Sequence, residues 1–561
     1  MVKRVSQYLA SHSLSRHLLF LALAFLAVAV NGYHFGTFDQ VFHIPFLKKF
    51  VDPTLYPGDS FLSLRWYHFS FFWFPFIPLL KAGLLEISLF IVHILTVYGT
   101  IWMFWELTNT LFQNNIANLL IVLALVIPHL GFPGFQIIEF SLLNRTFVLP
   151  FLLGSMVLYL NDKKWLAFLV LGLMFNLHVI YAIFVLCMFL LNEVLTFKWR
   201  AWWKPALWVG IFVAAGSPVL IWRMQTGSGI DFSLRPEMLN LATKGLLSTV
   251  YYPLTGSAYG LGNLVAGLGT VWAFMLGLRR APKSDKHRTM RNFALAVGVL
   301  IMVGLIASYI LPVTILLQMQ ILRVGVFMLF FGMIYLTHFI SEAFTSGEID
   351  RGRFLILALS FVLLFTPLLT ILIYYLDRWL AHKDIKPAWL LVLITAIQTV
   401  TVIAGLASQI WAPGYYIHGP QSDWRRVQDW ARVNTPQDAM FISPPQIFGH
   451  YTPDWRVFSE RGTVFTTPEL MEIPFAPSFI PSIKERLSAV APGALAQFDG
   501  DYIKTLELTG KAYYTNSRED FIKLACEYQA DYLVVESSHP YNFLTVYQND
   551  GFFVYHLPDC Q

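Results

Sequence analysis

Apolar runs long enough to cross a bilayer recur along most of the chain. A transmembrane helix needs about 20 mainly apolar residues, and runs of that length or slightly shorter follow one another up to Trp411. The predicted spans are 18–32, 84–107, 116–128, 146–160, 165–177, 179–195, 206–222, 262–278, 293–311, 321–339, 354–375 and 389–411. The pattern therefore predicts a polytopic α-helical membrane protein with about 11 to 13 transmembrane helices.

Charged residues beside these spans indicate an orientation. Lys3, Arg4 and Arg16 precede the first span, and no small-x-small cleavage pattern follows it, so we interpret it as a retained helix with a cytoplasmic N-terminus. The basic loops 162–164, 198–204 and 279–291 then share that side. The segments 33–80, 131–145 and 223–260 face the opposite, extracytoplasmic side.

One aromatic run is predicted to lie along the membrane surface. Residues 67–80 (YHFSFFWFPFIPLL) are interrupted by Pro75 and Pro78, which suits an interfacial helix at least as well as a span. The number of crossings between residues 293 and 411 decides the side of the C-terminus, and the sequence leaves that number open.

The hydrophobic pattern changes after Trp411. Residues 412–561 predict a small α/β soluble domain of ordinary size. Its predicted helices are DWRRVQDWARV, 483–489, 493–508 and 519–527, and its predicted strands are AMFISPP, ADYLVVES and GFFVYHL. The expected organisation is a transmembrane domain, 1–411, with an extracytoplasmic loop at 33–80, followed by an extracytoplasmic domain, 412–561.

Composition supports a membrane protein. Of 561 residues, 56% are hydrophobic and only 13% are charged, against about 45–50% and about 25% in soluble chains. Gly and Pro are near their average frequencies and no short period occurs, so a disordered or collagen-like chain is excluded, and three cysteines cannot staple a chain of this length. The net charge of +5 is small for this length, and we expect the lipid bilayer, not nucleic acid, to be the partner.

Acidic residues cluster in the loop after the first span. Asp39 lies between aromatic residues near the membrane surface, with His43 close behind it, so a carboxylate there can act as a base on a substrate held at the interface. Asp52 and Asp59 fall in the turn strings VDPT and YPGD and are interpreted as solvated loop charges. For Asp39, too, the alternative interpretation is a solvated loop charge.

Three basic or titratable residues interrupt the apolar pattern beyond that loop. Arg145 opens one span, His178 interrupts an apolar hairpin, and Arg323 begins another span, while Glu139 stands close to Arg145. Guanidinium groups near one face match a phosphate or diphosphate well. The structural alternatives are snorkelling arginines and a packed histidine bonded to a carbonyl.

Several kinds of site lack a sequence signature. The histidines show no metal spacing, the three cysteines are too dispersed for a thiolate zinc site, and no Walker loop, GxGxxG or GxSxG motif occurs. We therefore predict no metal site. Cys526 and Cys560 either pair or stay free, depending on their geometry.

The chain resembles the GT-C superfamily of polytopic membrane glycosyltransferases, and more closely uncharacterised bacterial proteins of that architecture with a C-terminal soluble domain. The resemblance rests first on the loop after the first span, GYHFGTFDQVFHIPFLKKFVDPTLYPGD, and on the aromatic run that follows it. The strings NRTFVLPFLLGSMVLYL, GLMFNLHVIYAIFVL and LLQMQILRVGVFML are similar to membrane segments of those proteins, and the strings VQDWARVNTPQDAMFISPP and ADYLVVESSHPYNFLTVYQNDGFFVYHL to their terminal domain.

The resemblance implies a function and a site. The expected activity is transfer of a sugar from a polyprenyl-phosphate or diphosphate carrier to an unknown glycan, lipid or protein acceptor, at the outer face of a bacterial plasma membrane. Asp39 occupies the catalytic position, His43, Arg145, His178 and Arg323 are expected to bind substrate, and the isoprenoid tail would lie along the apolar spans.

One departure bears on the mechanism. Several GT-C families carry a second acid next to the first, whereas here Gln40 follows Asp39. That argues against a divalent-metal mechanism, although a divalent metal cofactor stays open, and leaves Asp39 as a lone base. A multi-span transporter or flippase and a non-catalytic GT-C-like scaffold are the alternatives.

Overall fold

The computed structural model describes residues 2–134, 136–197, 203–226, 230–254, 260–383, 388–449, 451–558 and 560. Its helices are α1 Val2–Ser11, α2 Ser13–Asn31, α3 Gln40–Val51, α4 Ile77–Lys81, α5 Leu85–Phe112, α6 Asn115–Ala124, α7 Asn144–Leu160, α8 Lys164–Phe175, α9 Val179–Leu195, α10 Trp203–Gln225, α11 Pro236–Lys244, α12 Ser248–Tyr251, α13 Gly260–Arg280, α14 Asp285–Tyr309, α15 Thr314–Gln318, α16 Gly325–Thr345, α17 Arg351–Leu363, α18 Pro367–Ala381, α19 Ala388–Ala407, α20 Asp423–Asn434, α21 Trp455–Ser459, α22 Ile480–Val490, α23 Ala494–Gln497, α24 Tyr502–Tyr513 and α25 Arg518–Tyr528. Short 3-10 helices lie at Ser60–Tyr67, Phe74–Phe76, Ile321–Val324, Thr467–Glu472 and Pro477–Phe479. The strands are β1 Tyr33–His34, β2 Tyr415–Tyr416, β3 Met440–Ile442, β4 Gly462–Thr463, β5 Tyr532–Glu536, β6 Leu544–Gln548 and β7 Phe552–His556.

Seven helical segments among the described residues are long and apolar enough to cross a membrane. They are α2, α5, α10, α13, α14, the segment Ile321–Thr345 that includes α16, and α19. Four shorter apolar helices, α6 to α9, pack among them. By length and composition the chain is therefore a multi-pass helical membrane protein with a small C-terminal sheet.

Three predicted helices are wrong in detail. The predicted span 354–375 is two helices, because Pro367 starts α18 and disfavours helical backbone at the residue before it. The interfacial run 67–80 contains only short pieces of helix around its two prolines. The predicted helix 493–508 is interrupted before α24, where Gly500 has a φ of +95°.

The terminal domain is built on a five-stranded mixed sheet with the order β4-β3-β5-β7-β6. β3 pairs in parallel with β4 and β5, and β7 runs antiparallel to β5 and β6. The predicted strands at β3, β5 and β7 are present. β4 has only two residues and β6 is largely exposed, so neither carries the buried apolar run by which the others were recognised.

The terminal domain packs directly on the loop that follows α2. β1 pairs in parallel with β2, Lys48 forms an ion pair of 2.7 Å with Glu460, and Asp59 forms one of 2.6 Å with Arg456. Because of these contacts, loop 33–80 and the domain lie on the same side of the helices. Asp59 is fully buried, so its interpretation as a solvated loop charge is wrong, since the turn string does not reveal the domain that covers it.

A disulfide joins the end of the chain to α25. Cys526 and Cys560, which the sequence left either paired or free, are bonded with their Cα atoms 5.3 Å apart. Cys187, in α9, is a free thiol.

Candidate functional site

Asp39 lies at the start of α3, in the tight turn that follows β1. Gly36 in this turn has a φ of +78°, and a Cβ there would come within 2.9 Å of the Val457 side chain, so the turn requires glycine. Gln40 is fully buried, accepts a hydrogen bond of 2.8 Å from the Gly36 N–H and donates one of 2.9 Å to the Leu142 carbonyl. Gln40 therefore holds the turn in place.

Arg145 links Asp39 to a second carboxylate. At the first turn of α7, its Nε and Nη2 donate to both oxygens of Glu139, at 2.6 and 2.5 Å, and its Nη1 donates to Asp39. The side chain is only 4% exposed. Bidentate pairing of this kind fixes a guanidinium group in a planar, well-defined position, so Arg145 is anchored and is not a snorkelling residue.

One cavity of about 440 Å³ brings the candidate residues together. Asp39, His43, Arg145, His178 and Arg323 all line its wall. His178 caps α9, where its Nδ1 accepts a hydrogen bond of 3.2 Å from the Tyr181 N–H. The five residues come from four separate stretches of sequence. They share one site because α3, α7 and α9 all begin at the cavity, and the 3-10 helix at Ile321–Val324 brings Arg323 to the same wall.

The cavity also contains charged residues that sequence reasoning missed. Arg223, at the end of α10, and Asp231 and Arg235, just beyond it, line the wall, so four arginines face three carboxylates there. Arg223 carries a detectable sequence signal, because charge is scarce beside apolar spans and a basic residue there is conspicuous. Asp231 and Arg235 lie in a polar loop with no such signal.

The third carboxylate of the cavity comes from the terminal domain. Glu472, at the end of the 3-10 helix Thr467–Glu472, lies 2.8 Å from Nε2 of His68, and both residues line the cavity. The His68 ring packs edge-on against His43 with centroids 5.3 Å apart. No motif in the sequence marks Glu472, since its place depends on the docking of a domain about 400 positions after His68.

Asp39 and His43 differ in charge because their surroundings shift their pKa values differently. Burial by itself raises the pKa of Asp39, but Arg145 and Arg323 outweigh burial and hold that pKa below its ordinary value. Burial, reinforced by His68, lowers the pKa of His43 to about 3. At neutral pH Asp39 is therefore an anion and His43 a neutral hydrogen-bonding group.

Apolar side chains complete the wall. They come chiefly from α3, α9 and α10 and include Phe42, Trp73, Val179, Ile180, Val219 and Leu220. The arrangement can hold a polar, anionic group against the arginines and an apolar chain against the helices. Among the described residues, no group of three or more His, Cys, Asp or Glu side chains is placed to hold a metal ion.

A comparison with known protein families finds a match within the terminal domain. Residues 422–490 match a domain of unknown function, DUF6798. That segment includes α20, β3, β4 and Glu472. No curated protein matches the chain.

Proposed function

We propose that this protein is a membrane glycosyltransferase of the GT-C type, which transfers a sugar from a polyprenyl-phosphate or diphosphate carrier to an acceptor hydroxyl. The observation that supports it best is the joining of Asp39 to Arg145 within a cavity that Arg323 and His178 also line. A carboxylate base for the acceptor hydroxyl and cations for the phosphate leaving group are the two requirements of such a transfer.

The reaction exchanges one bond at the anomeric carbon for another. The acceptor oxygen bonds to that carbon as the bond from the carbon to the carrier phosphate oxygen breaks. Asp39 accepts a hydrogen bond from the acceptor hydroxyl and orients it, and the hydroxyl proton passes to Asp39 as the new bond forms. Arg323, His178 and the anchored Arg145 stabilise the charge that develops on the departing phosphate.

The His68 and Glu472 side chains give the cavity a further polar wall. Glu472 lies 2.8 Å from Nε2 of His68, and both residues line the same cavity as Asp39. The His43 ring packs against that of His68 and is neutral, so it offers the substrate a hydrogen-bonding group beside Asp39.

Two observations favour an extracytoplasmic site. The terminal domain carries the disulfide between Cys526 and Cys560, and disulfides persist in oxidising compartments. The same domain contacts loop 33–80 and contributes Glu472 to the cavity. Loop, domain and cavity would therefore all face the outside of a plasma membrane.

The test uses the full chain in lipid nanodiscs and a panel of synthetic polyprenyl-phosphate and polyprenyl-diphosphate hexoses. We expect release of the free carrier phosphate, detected by mass spectrometry, from at least one donor. Asp39→Asn should lower that release by about 100-fold or more. Asp52→Asn removes an acid from the same loop that does not line the cavity, and should leave release unchanged.

Two results would overturn the proposal. One is the absence of release from every donor by a chain that still unfolds cooperatively. The other is full activity of Asp39→Asn. Thermal unfolding of Asp39→Asn and Asp52→Asn controls for a loss of fold. We expect Asp39→Asn to stay folded, because Arg145 keeps its bidentate contact with Glu139 when Asp39 is neutralised.

A further inference from the structure

A second cavity, of about 1250 Å³, lies at the opposite ends of the helices that form the first. Arg145 lies in the first turn of α7 and Tyr159 near its end, while His178 caps the start of α9 and Glu193 lies near its end. Each helix has 17 residues, or about 25 Å of length, close to the roughly 30 Å of a bilayer core. The two cavities therefore lie toward opposite faces of the membrane.

The floor of this second cavity is a fixed polar network. Glu193 accepts hydrogen bonds from the Tyr159 hydroxyl and, at 2.8 Å, from Lys164. Asn192 donates to the Tyr159 oxygen at 2.9 Å, and Asn292 of α14 donates to Asn192 at 2.9 Å. Because these groups satisfy one another, the charge of Lys164 is already balanced.

The walls carry an excess of positive charge. Lys204, Lys286, Arg288 and Arg291 line them in addition to Lys164, against only three carboxylates. Arg288 is paired with Asp285 at 3.0 Å. Across the described residues, no carboxylate lies within ion-pair distance of Lys204 or Arg291, so these two cations are available to an incoming anion.

The rim of the cavity is apolar. Leu195, Phe197 and Leu295 line the cavity and are each about half exposed. Trp203 and Leu207 of α10, close to Lys204, are also exposed. A soluble anion would contact only the basic side chains. A lipid also has hydrocarbon chains, which would cover the exposed apolar side chains of the rim.

We propose that the second cavity binds the phosphate headgroup of an anionic phospholipid, with Lys204 and Arg291 as its ligands and Leu195, Phe197 and Leu295 against its acyl chains. Basic pockets between helices at a membrane face suit such headgroups. The lipid site needs only that the helices cross a bilayer, and it exists whether or not the first cavity transfers a sugar.

The experiment titrates dioleoyl phosphatidylglycerol onto the delipidated full chain in a neutral maltoside detergent, with bound lipids counted by native mass spectrometry. Phosphatidylcholine, which has no net charge, and inorganic phosphate form the comparison arms. The double variant Lys204→Gln/Arg291→Gln should bind phosphatidylglycerol about 30-fold more weakly, because each basic residue at a membrane surface contributes about 1 kcal/mol. Lys283→Gln removes a charge from the adjacent loop outside the cavity and should bind like the unmodified chain.

The binding results distinguish a phospholipid site from a site for a soluble anion and from non-specific lipid binding. Preference for phosphatidylglycerol over phosphatidylcholine, lost in the double variant and kept in Lys204→Arg/Arg291→Lys, supports the proposal. Equal binding of the two lipids, or an unchanged affinity in the double variant, overturns it. Displacement of the lipid by millimolar inorganic phosphate also overturns it, because the cavity would then be a site for a soluble anion.

Discussion

Arg456 offers the sharpest test of how the terminal domain is held on the first loop. Its side chain is 1% exposed and forms ion pairs with three buried carboxylates, Asp59 at 2.6 Å, Glu469 at 2.7 Å and Asp454 at 3.5 Å. Asp59 belongs to the loop, whereas Glu469 belongs to the domain. Arg456→Met keeps most of the buried volume and removes the only guanidinium group that the described residues place on both Asp59 and Glu469.

The expected cost follows from what each carboxylate retains. Breaking a buried ion pair costs about 3–5 kcal/mol, because one charge stays buried without a partner. Glu469 keeps Arg486 at 2.6 Å, and Asp59 keeps hydrogen bonds from the N–H groups of Phe61 and Thr463. Asp454 keeps the hydrogen bond from the main-chain N–H at position 456. We therefore expect a loss near the lower limit, about 3 kcal/mol in the free energy of unfolding of the domain.

Pulse proteolysis of the full chain across a urea series measures this loss, with the fragment 412–561 as the readout. Arg432→Met is the matched control: its pair with Asp429 spans 3.5 Å between partly exposed side chains, and should contribute less than about 1 kcal/mol. Adding Asp59→Asn to Arg456→Met should restore about 1 kcal/mol or more, since the stranded charge is then gone. Equal midpoints for Arg456→Met and Arg432→Met would refute the reasoning.

Three further expectations concern the site and the domain. Arg323→Ala should weaken binding of a polyprenyl-phosphate sugar more than Arg145→Lys in a filter-binding assay, and equal, negligible effects would return both residues to a purely structural role. Folding lowers the pKa of His43 from 6.5 to about 3, so the unfolded chain binds the proton more readily and the free energy of unfolding should fall as the pH drops from about 6.5 toward 3. His43→Gln should make the urea midpoint less dependent on pH in that window. An unchanged dependence of the midpoint on pH would contradict the lowered pKa. Cys526→Ser should lower the free energy of unfolding of the domain by about 4 kcal/mol, because the disulfide with Cys560 closes a loop of 34 residues. A urea midpoint that neither Cys526→Ser nor a reducing agent changes would count against that pairing.

The membrane helices were predictable because their signal is local. Helices such as α9, whose bounds coincide with the predicted span 179–195, are defined by apolar length alone. The prediction was wrong where backbone chemistry competes with hydropathy, as at Pro367, which divides one apolar run into two helices. The short strand β4 is beyond sequence reasoning, because two residues carry no periodicity.

The candidate site, like the fold, could be predicted only where the sequence signal is local. Asp39 and Arg145 were found because charge is scarce beside apolar spans and therefore conspicuous. Glu472 was missed because it belongs to a domain in which charge is common, and only the packing of that domain brings it to the cavity. Asp59 was misjudged for the same reason, since nothing near a YPGD turn predicts a partner such as Arg456.

The docking of the terminal domain on the first loop sets an order for the synthesis of the protein. Asp59 and Arg456 are 397 positions apart, so at about 5–20 residues per second the loop waits roughly 20 to 80 s for its partner. During that interval β1 has an open edge and the cavity lacks the wall that carries Glu472. A nascent chain stopped just after α19 would therefore contain every membrane helix described here and still lack one wall of the cavity, so folding of residues 412–561 is the step that completes the cavity.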